Sequence, residues 1–186
     1  SGIDINLGLA SGNKVMARLL DAAIEATDFN LRTMKGGNKR NSISDGAIAV
    51  MCVEHGNAEA FKKAVMDMAE VMGKEFEKTE PDFKVEITEV PAEGNCLSLE
   101  ETRAIINLMV ALPHGVITMS PEVDGLVETS TNLGLIEIQE NQFSITMLTR
   151  SAVTSHLAAI KKQIKTIAGL AGAEVVEPRG YPGWKP

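Results

Sequence analysis

The sequence LGLIEIQENQFSITML, residues 133–148, contains two apolar stretches on either side of a short polar segment around Asn141. Apolar runs of this length that flank a polar turn indicate a β-hairpin. Before the hairpin, residues 115–119 are a further candidate strand. After it, residues 153–170 have the apolar spacing of an amphipathic helix that ends at Gly172, and residues 173–176 are predicted to add a last short strand.

The first half of the chain shows a similar order of patterns. Apolar residues that recur at intervals of three and four predict helices, whereas apolar residues that alternate with polar ones predict half-buried strands. Asn57 is a candidate N-cap for the second helix, and Pro81 follows its predicted end. The predicted elements are, in chain order, a helix at 13–27, strands at 31–34 and 47–53, a helix at 57–79 and a strand at 83–87.

The second half opens with Ser98 and Glu101, which have the spacing of a helix capping box, and the helix that follows ends before Pro113. With residues 115–119 as an additional candidate strand in the second half, the order helix, strand, strand, helix, strand is thus predicted twice. We predict an α+β fold of two ferredoxin-like (split βαβ) units, with helices on one face of a mainly antiparallel sheet. The first unit covers residues 1–92 and the second covers residues 93–186.

Composition places the chain among ordinary globular proteins. Of its 186 residues 44% are hydrophobic, and 18 basic against 25 acidic side chains give a net charge of −7. An acidic chain lacks the general attraction for phosphate that nucleic-acid binding uses, and the apolar runs are far shorter than the ~20 residues of a membrane span. We therefore predict neither a nucleic-acid partner nor a membrane partner. Two cysteines are too few for a secreted disulfide framework, so the expected compartment is a reducing cytoplasm.

Motifs for catalysis are scarce. Cys52 and His55 have a spacing found in metal sites, but we interpret this isolated pair as structural. The polar residues that stand out lie at strand ends and in loops, namely Asn41, Asn132 and Arg150. An arginine there can hold a carboxylate with two hydrogen bonds, and an asparagine amide can donate to a carbonyl oxygen. Alternatively, these side chains satisfy the carbonyl groups of loops, and sequence spacing leaves both interpretations open.

Several blocks of sequence carry a family resemblance that extends over the whole chain. The most specific are Val-Glu-Thr-Ser-x-Asn and Tyr-Pro-Gly-Trp, because no general structural reason places them in this order. The full set is 1–8, 13–14, 40–43, 113–116, 127–134, 150–151 and 181–184. These blocks resemble the aminoacyl-histidine dipeptidases, also called Xaa-His or β-alanyl-histidine dipeptidases, which are dinuclear zinc exopeptidases.

The resemblance implies that the chain is the inserted lid and dimerisation domain of a longer cytosolic enzyme that hydrolyses Xaa-His dipeptides. It implies two zinc ions, with manganese or cobalt as replacements, in the full-length enzyme, held by residues before and after the insert. The chain itself is then expected to contain no catalytic residue and no metal ligand, and to be inactive alone. Its implied partners are its own catalytic domain, the dipeptide substrate and a second copy of itself.

Family members hold the substrate with a lid asparagine and a lid arginine. By motif, Asn132 and Arg150 match these roles best, with the arginine on the terminal carboxylate of the substrate. Asn41 occupies a comparable place in the first unit, and His114 is a further candidate substrate-binding residue.

Two other functions compete with the lid. One is a purely structural dimerisation module without substrate contacts, in which an exposed edge strand pairs with that of a second copy. The other is an independent small-ligand sensor of the split βαβ type.

Overall fold

The computed structural model describes residues 4–140 and 142–178, and these residues have the predicted α+β architecture. Asn141, the predicted hairpin turn, lies outside the described residues, as do the first three residues of the resemblance block 1–8 and the whole block 181–184. A short 3₁₀ turn precedes the second helix. The helices and strands are, in chain order, α1 Gly12–Ala26, β1 Asn30–Gly36, β2 Ala47–Cys52, α2 Ala58–Glu75, α3 Leu99–Ala111, β3 Gly115–Met119, β4 Val127–Gln139, β5 Gln142–Ser151 and α4 Thr154–Leu170.

The strands form one antiparallel sheet organised around β4. β5 pairs with one edge of β4, from Thr129 opposite Ser151 to Gln139 opposite Gln142. The other edge of β4 is shared, because β3 pairs with its first half and β1 pairs with its second half. β2 lies outside β1. The predicted antiparallel sheet is therefore confirmed. Its β1–β4 pair joins the two predicted units in one sheet, and the division at residue 92 stays a prediction.

The helices lie on one face of the sheet, as predicted, and the core lies between the two layers. The helices contribute fully buried side chains such as Leu20, Met72 and Ile106. The sheet contributes Leu31, Met34, Leu133, Ile136 and Ile138, with Phe143, Ile145 and Met147 of β5 packed against them. Successive residues of a strand point to opposite faces. The even-numbered residues of β5 therefore lie on the face of the sheet opposite the helices, which we call the open face.

The last strand predicted for each unit is wrong. Residues 83–87 form no strand, although Phe83 and Val85 are half-buried and pack against the core. They alternate with exposed residues because this segment lies against α2. A Cβ added at Gly73 of α2 would lie 3.7 Å from the Phe83 ring. Residues 173–176 also form no strand, and Val176 is 88% exposed. For residues 83–87, alternation indicated a strand in a segment that has no neighbouring strand to pair with.

The two cysteines form a disulfide that sequence analysis did not predict. Cys52, at the end of β2, is bonded to Cys96, with their Cα atoms 6.5 Å apart. Next to Cys96, the Leu97 N–H donates to the Leu31 carbonyl at 2.7 Å, and the Asn30 amide donates to the Leu97 carbonyl at 2.8 Å. The disulfide therefore fixes the segment before α3 to the edge of β1 and β2.

No helix within residues 4–140 and 142–178 has the length and hydrophobicity needed to cross a membrane.

Candidate functional site

The middle of β4 has a gap in its strand pairing. On the edge shared by β3 and β1, the paired residues of β4 are 127–131 and 136–138. Buried backbone groups need hydrogen-bond partners, and in such a gap side chains have to provide them. His114, just before β3, does so because its Nδ1 accepts a hydrogen bond of 3.1 Å from the Leu133 N–H. The gap thus lies next to one of the predicted site residues.

Asn13, in the first turn of α1, fills the rest of the gap. Its fully buried amide nitrogen donates to the Leu133 carbonyl at 3.0 Å and to the Gly134 carbonyl at 3.1 Å. Its Oδ1 accepts a hydrogen bond of 3.2 Å from the Ser44 hydroxyl. Ser44 belongs to the connection between β1 and β2, residues 37–46, which we call the 37–46 loop. The Ser44 carbonyl in turn accepts from the Gly12 N–H at 2.8 Å, so α1, the loop and β4 are held to one another.

Asn132 holds the same loop from β4. Its side-chain nitrogen donates to the Arg40 carbonyl at 3.0 Å and to the Ser42 carbonyl at 2.8 Å, and the residue is only 4% exposed. Its Oδ1 is buried and has no hydrogen-bond partner among the residues described. The approach of the loop to β4 is close, since a Cβ at Gly134 would lie 2.9 Å from the Arg40 Cα. Only glycine at this position lets the loop lie directly on the strand.

Asn41 and Arg150 are exposed, in contrast to Asn132. Asn41 lies between the two loop residues whose carbonyls Asn132 binds. Arg150 is opposite Ser130 in the β4–β5 pair, two residues along β4 from Asn132. Residues directly opposite each other, and residues two apart on one strand, share a face of the sheet. Arg150 and Asn132 therefore both lie on the open face, and the 37–46 loop covers Asn132 there.

His114 is a neutral hydrogen-bond donor at this site. Burial, helped by the nearby Lys14 ammonium, lowers the pKa of His114 from 6.5 to about 4. Because Nδ1 accepts from the Leu133 N–H, the proton of the neutral ring is on Nε2. This N–H donates to no other residue in the described part of the chain. His114 can therefore donate a hydrogen bond near neutral pH without adding a charge.

Lys14 binds the carboxyl end of α3, just before His114. Its ammonium donates to the carbonyls of Met109, Val110 and Leu112 at 2.8, 2.9 and 2.9 Å, and burial lowers its pKa. A cation is favoured at the carboxyl end of a helix, here α3. Lys14 is therefore occupied by this helix end, from which the chain leads directly to His114.

The structure thus brings three predicted residues, Asn41, Asn132 and His114, to the gap in β4, with Arg150 on the neighbouring strand. Sequence analysis missed the two residues that anchor the loop, Asn13 and Ser44. For Asn13 a signal existed, because this polar residue lies on the same helix stripe as the buried Ala17 and Leu20. For Ser44 no local signal existed.

In residues 4–140 and 142–178, no three His, Cys, Asp or Glu side chains come together in a way that could hold a metal ion. Cys52 of the isolated Cys52–His55 pair is bonded to Cys96. The described residues do not fit a dinuclear zinc centre, and no step through a metal is assigned to them.

Comparisons with known proteins match this chain to part of longer enzymes. No family model matches the chain. The cytosol non-specific dipeptidase of Escherichia coli K12 is 31% identical over all 186 residues, which span 38% of that protein. The crystal structure of aminoacylhistidine dipeptidase from Vibrio alginolyticus superposes with a TM-score of 0.94 at 31% identity, covering 98% of this chain and 37% of that one. The predicted resemblance is therefore confirmed: the chain is similar, over its whole length, to one segment of dipeptidases of this kind.

Proposed function

We propose that this chain is the lid and dimerisation domain of a metal-dependent dipeptidase that hydrolyses Xaa-His dipeptides. Its similarity to dipeptidases that are more than twice as long supports this assignment. The bond-breaking groups, with two zinc ions or their manganese or cobalt replacements, then belong to the part of the enzyme outside this chain. The residues of the chain bind and orient the substrate, and closure of the lid excludes water from it.

Arg150 carries the proposal. Its guanidinium is exposed on the open face and forms no ion pair with any described residue. A planar guanidinium binds a carboxylate with two parallel hydrogen bonds, and an unpaired arginine is free to do so. We assign Arg150 to the terminal carboxylate of the dipeptide.

The carbonyl oxygen of the substrate is the second group that the chain would hold, through a hydrogen-bond donor. The resemblance names Asn132 and, at a comparable place, Asn41 for this contact. The exposure of Asn41 supports the assignment to Asn41, since both hydrogens of its amide are without an acceptor in the described residues. The Nε2–H of the neutral His114 is a second donor at the same end of the sheet.

The experiment is a chimera in which this chain replaces the matching segment of the E. coli cytosol non-specific dipeptidase. The Arg150→Ala variant should raise KM for a dipeptide ending in histidine by about 10–100-fold, the effect of losing a hydrogen bond to a charged group. Arg103→Ala is the matched control, because Arg103 lies on α3 and binds Asp28 at the surface. Equal KM values for the two variants would overturn the assignment of Arg150. Robust hydrolysis by the chain alone with added zinc would overturn the proposal that the bond-breaking groups lie outside this chain.

The purely structural module remains the second candidate, and the edge of the sheet favours it. β2 pairs only with β1 among the described strands, and Ile48 on β2 is 68% exposed. An exposed edge strand of this kind can pair with a second copy. Sedimentation of the chain at tens of micromolar, with Ile48→Lys as the variant, tests dimerisation through β2: a dimer that the variant dissociates supports it, and a monomer argues against it. Dimerisation and substrate holding are compatible with each other.

A further inference from the structure

We propose that Asn132 is a positioning residue: it fixes the 37–46 loop on the open face so that Asn41 is presented to the substrate. This inference rests on the proposed function and changes the role that sequence resemblance implied for Asn132. It concerns a group that acts through another residue and not one that touches the substrate.

The side-chain amide of Asn132 has both of its hydrogens engaged by the loop. A side-chain amide has two N–H hydrogens. Two acceptors are bound to this nitrogen, the Arg40 carbonyl at 3.0 Å and the Ser42 carbonyl at 2.8 Å. No hydrogen remains for a substrate carbonyl, so Asn132 could donate to the substrate only by releasing the loop.

The two hydrogen bonds from Asn132 lie on either side of Asn41. The acceptors belong to the residues immediately before and after Asn41, so the bonds fix the backbone on both sides of that side chain. Asn41 itself is exposed and forms no hydrogen bond with any described residue. Its backbone is therefore held while its amide is free to bind.

Further hydrogen bonds hold the rest of the 37–46 loop. Beyond Asn41, the Ser44 hydroxyl binds Asn13 Oδ1 at 3.2 Å, and the Ser44 carbonyl binds the Gly12 N–H at 2.8 Å. At the start of the loop, the Gly37 N–H donates to the Gly46 carbonyl at 3.3 Å. The loop has no regular secondary structure, so these contacts restrict it. A binding group held in advance loses less conformational freedom when the ligand arrives.

Two variants separate donor from acceptor at position 132. Asn132→Asp keeps an acceptor oxygen but replaces the two N–H donors by a carboxylate that faces the Arg40 and Ser42 carbonyls. Asn132→Ala removes both functions. Ser144→Ala is the matched control, because Ser144 is an exposed residue of β5 on the same face of the sheet and its side chain forms no hydrogen bond within the described residues.

Trypsin measures the loop directly, since Lys39 and Arg40 provide two cleavage sites in it. In the intact chain, Asn132→Asp and Asn132→Ala should raise the rate of cleavage at these sites by at least about tenfold, because local opening becomes easier. Ser144→Ala should cleave at the wild-type rate. Unchanged cleavage in both Asn132 variants would overturn the inference. Should these variants fail to fold, Ser44→Ala, which removes the other anchor, must show the same increase, and its absence would overturn the inference equally.

Kinetics of the chimera distinguish positioning from direct contact. We expect Asn132→Asp to lower kcat/KM for a dipeptide by about as much as Asn41→Ala does. The double variant Asn41→Ala, Asn132→Asp should have the same kcat/KM as Asn41→Ala alone. Additive losses would mean that Asn132 acts independently of Asn41 and would overturn the inference. If Asn41→Ala lowers kcat/KM and Asn132→Asp does not, the positioning role of Asn132 is overturned while the proposed function stands. Wild-type kinetics for both Asn41→Ala and Arg150→Ala would overturn the proposed function, and the positioning role of Asn132 with it.

Discussion

Two long connections in this chain lack regular secondary structure, and they are held in different ways. The 37–46 loop is fixed by hydrogen bonds from the buried side chains of Asn13 and Asn132. The connection between α2 and α3, residues 76–98, is fixed by the Cys52–Cys96 disulfide and by half-buried apolar side chains such as Phe83. The first connection lies over the open face at Asn132, whereas the second lies against α2.

The difference indicates what each connection is for. Hydrogen bonds are directional, so the 37–46 loop is held in one conformation with particular side chains exposed. A disulfide and apolar packing keep the 76–98 connection close to the core without the same control over its exposed residues. All four candidate residues lie in the first connection or on β4, β5 and the turn before β3, and none lies in the second.

The largest expected effect concerns the disulfide. It closes a loop with a sequence separation of 44, so its reduction should lower the free energy of unfolding by ~4 kcal/mol through the entropy of the unfolded chain. Chemical denaturation with and without a reductant measures this. Cys52→Ser without reductant should match the reduced wild type, and a midpoint that reduction leaves unchanged would contradict the stabilising role of the bond.

The next effect concerns the hydrogen-bonded loop. Asn13→Ala leaves the carbonyls of Leu133 and Gly134 and the Ser44 hydroxyl without this partner, so we expect a loss of about 3 kcal/mol in the free energy of unfolding. Asn95→Ala, in the exposed part of the 76–98 connection, is the control and should change it by less than about 0.5 kcal/mol. Similar losses in the two variants would remove the contrast between the two connections.

A smaller effect concerns pH at the gap in β4. The folded state lowers the pKa of His114 from 6.5 to about 4, so in this interval the unfolded chain binds a proton that the folded chain does not. His114 therefore contributes stability above pH 6.5 that is lost progressively as the pH falls to about 4. Denaturation midpoints across this range should fall more steeply for the wild type than for His114→Asn, whose amide oxygen can still accept from Leu133. Parallel curves would contradict the assignment.

The helices and most strands could be predicted because their signals are local. The apolar stripe of α1, the capping box of Ser98 and Glu101, and the hairpin of β4 and β5 all appear within short windows of sequence. β4 begins at Val127, before its predicted start at Leu133, because the polar residues between them are satisfied across the pair with β5. The Thr131 and Thr149 hydroxyls, for example, lie 2.9 Å apart.

The arrangement of the site could not be predicted, because its contacts join distant residues. Asn13 binds carbonyls 120 and 121 residues away, and Asn132 binds the loop 90 and 92 residues away. Sequence analysis left open whether Asn132 holds substrate or satisfies loop carbonyls, and the structure shows the second of these contacts. Both N–H hydrogens of the Asn132 amide are bound to the loop, and no local pattern in the sequence indicates a contact between residues so far apart.

We propose that Arg150 binds the terminal carboxylate of a dipeptide, and one comparison of kcat/KM values tests this most directly. The chimera and its Arg150→Ala variant are each given a dipeptide and the same dipeptide with a carboxamide terminus, and kcat/KM is measured for all four combinations. We predict that the chimera prefers the free carboxylate by about 10–100-fold and that Arg150→Ala loses most of this preference. An undiminished preference in the variant would contradict the claim.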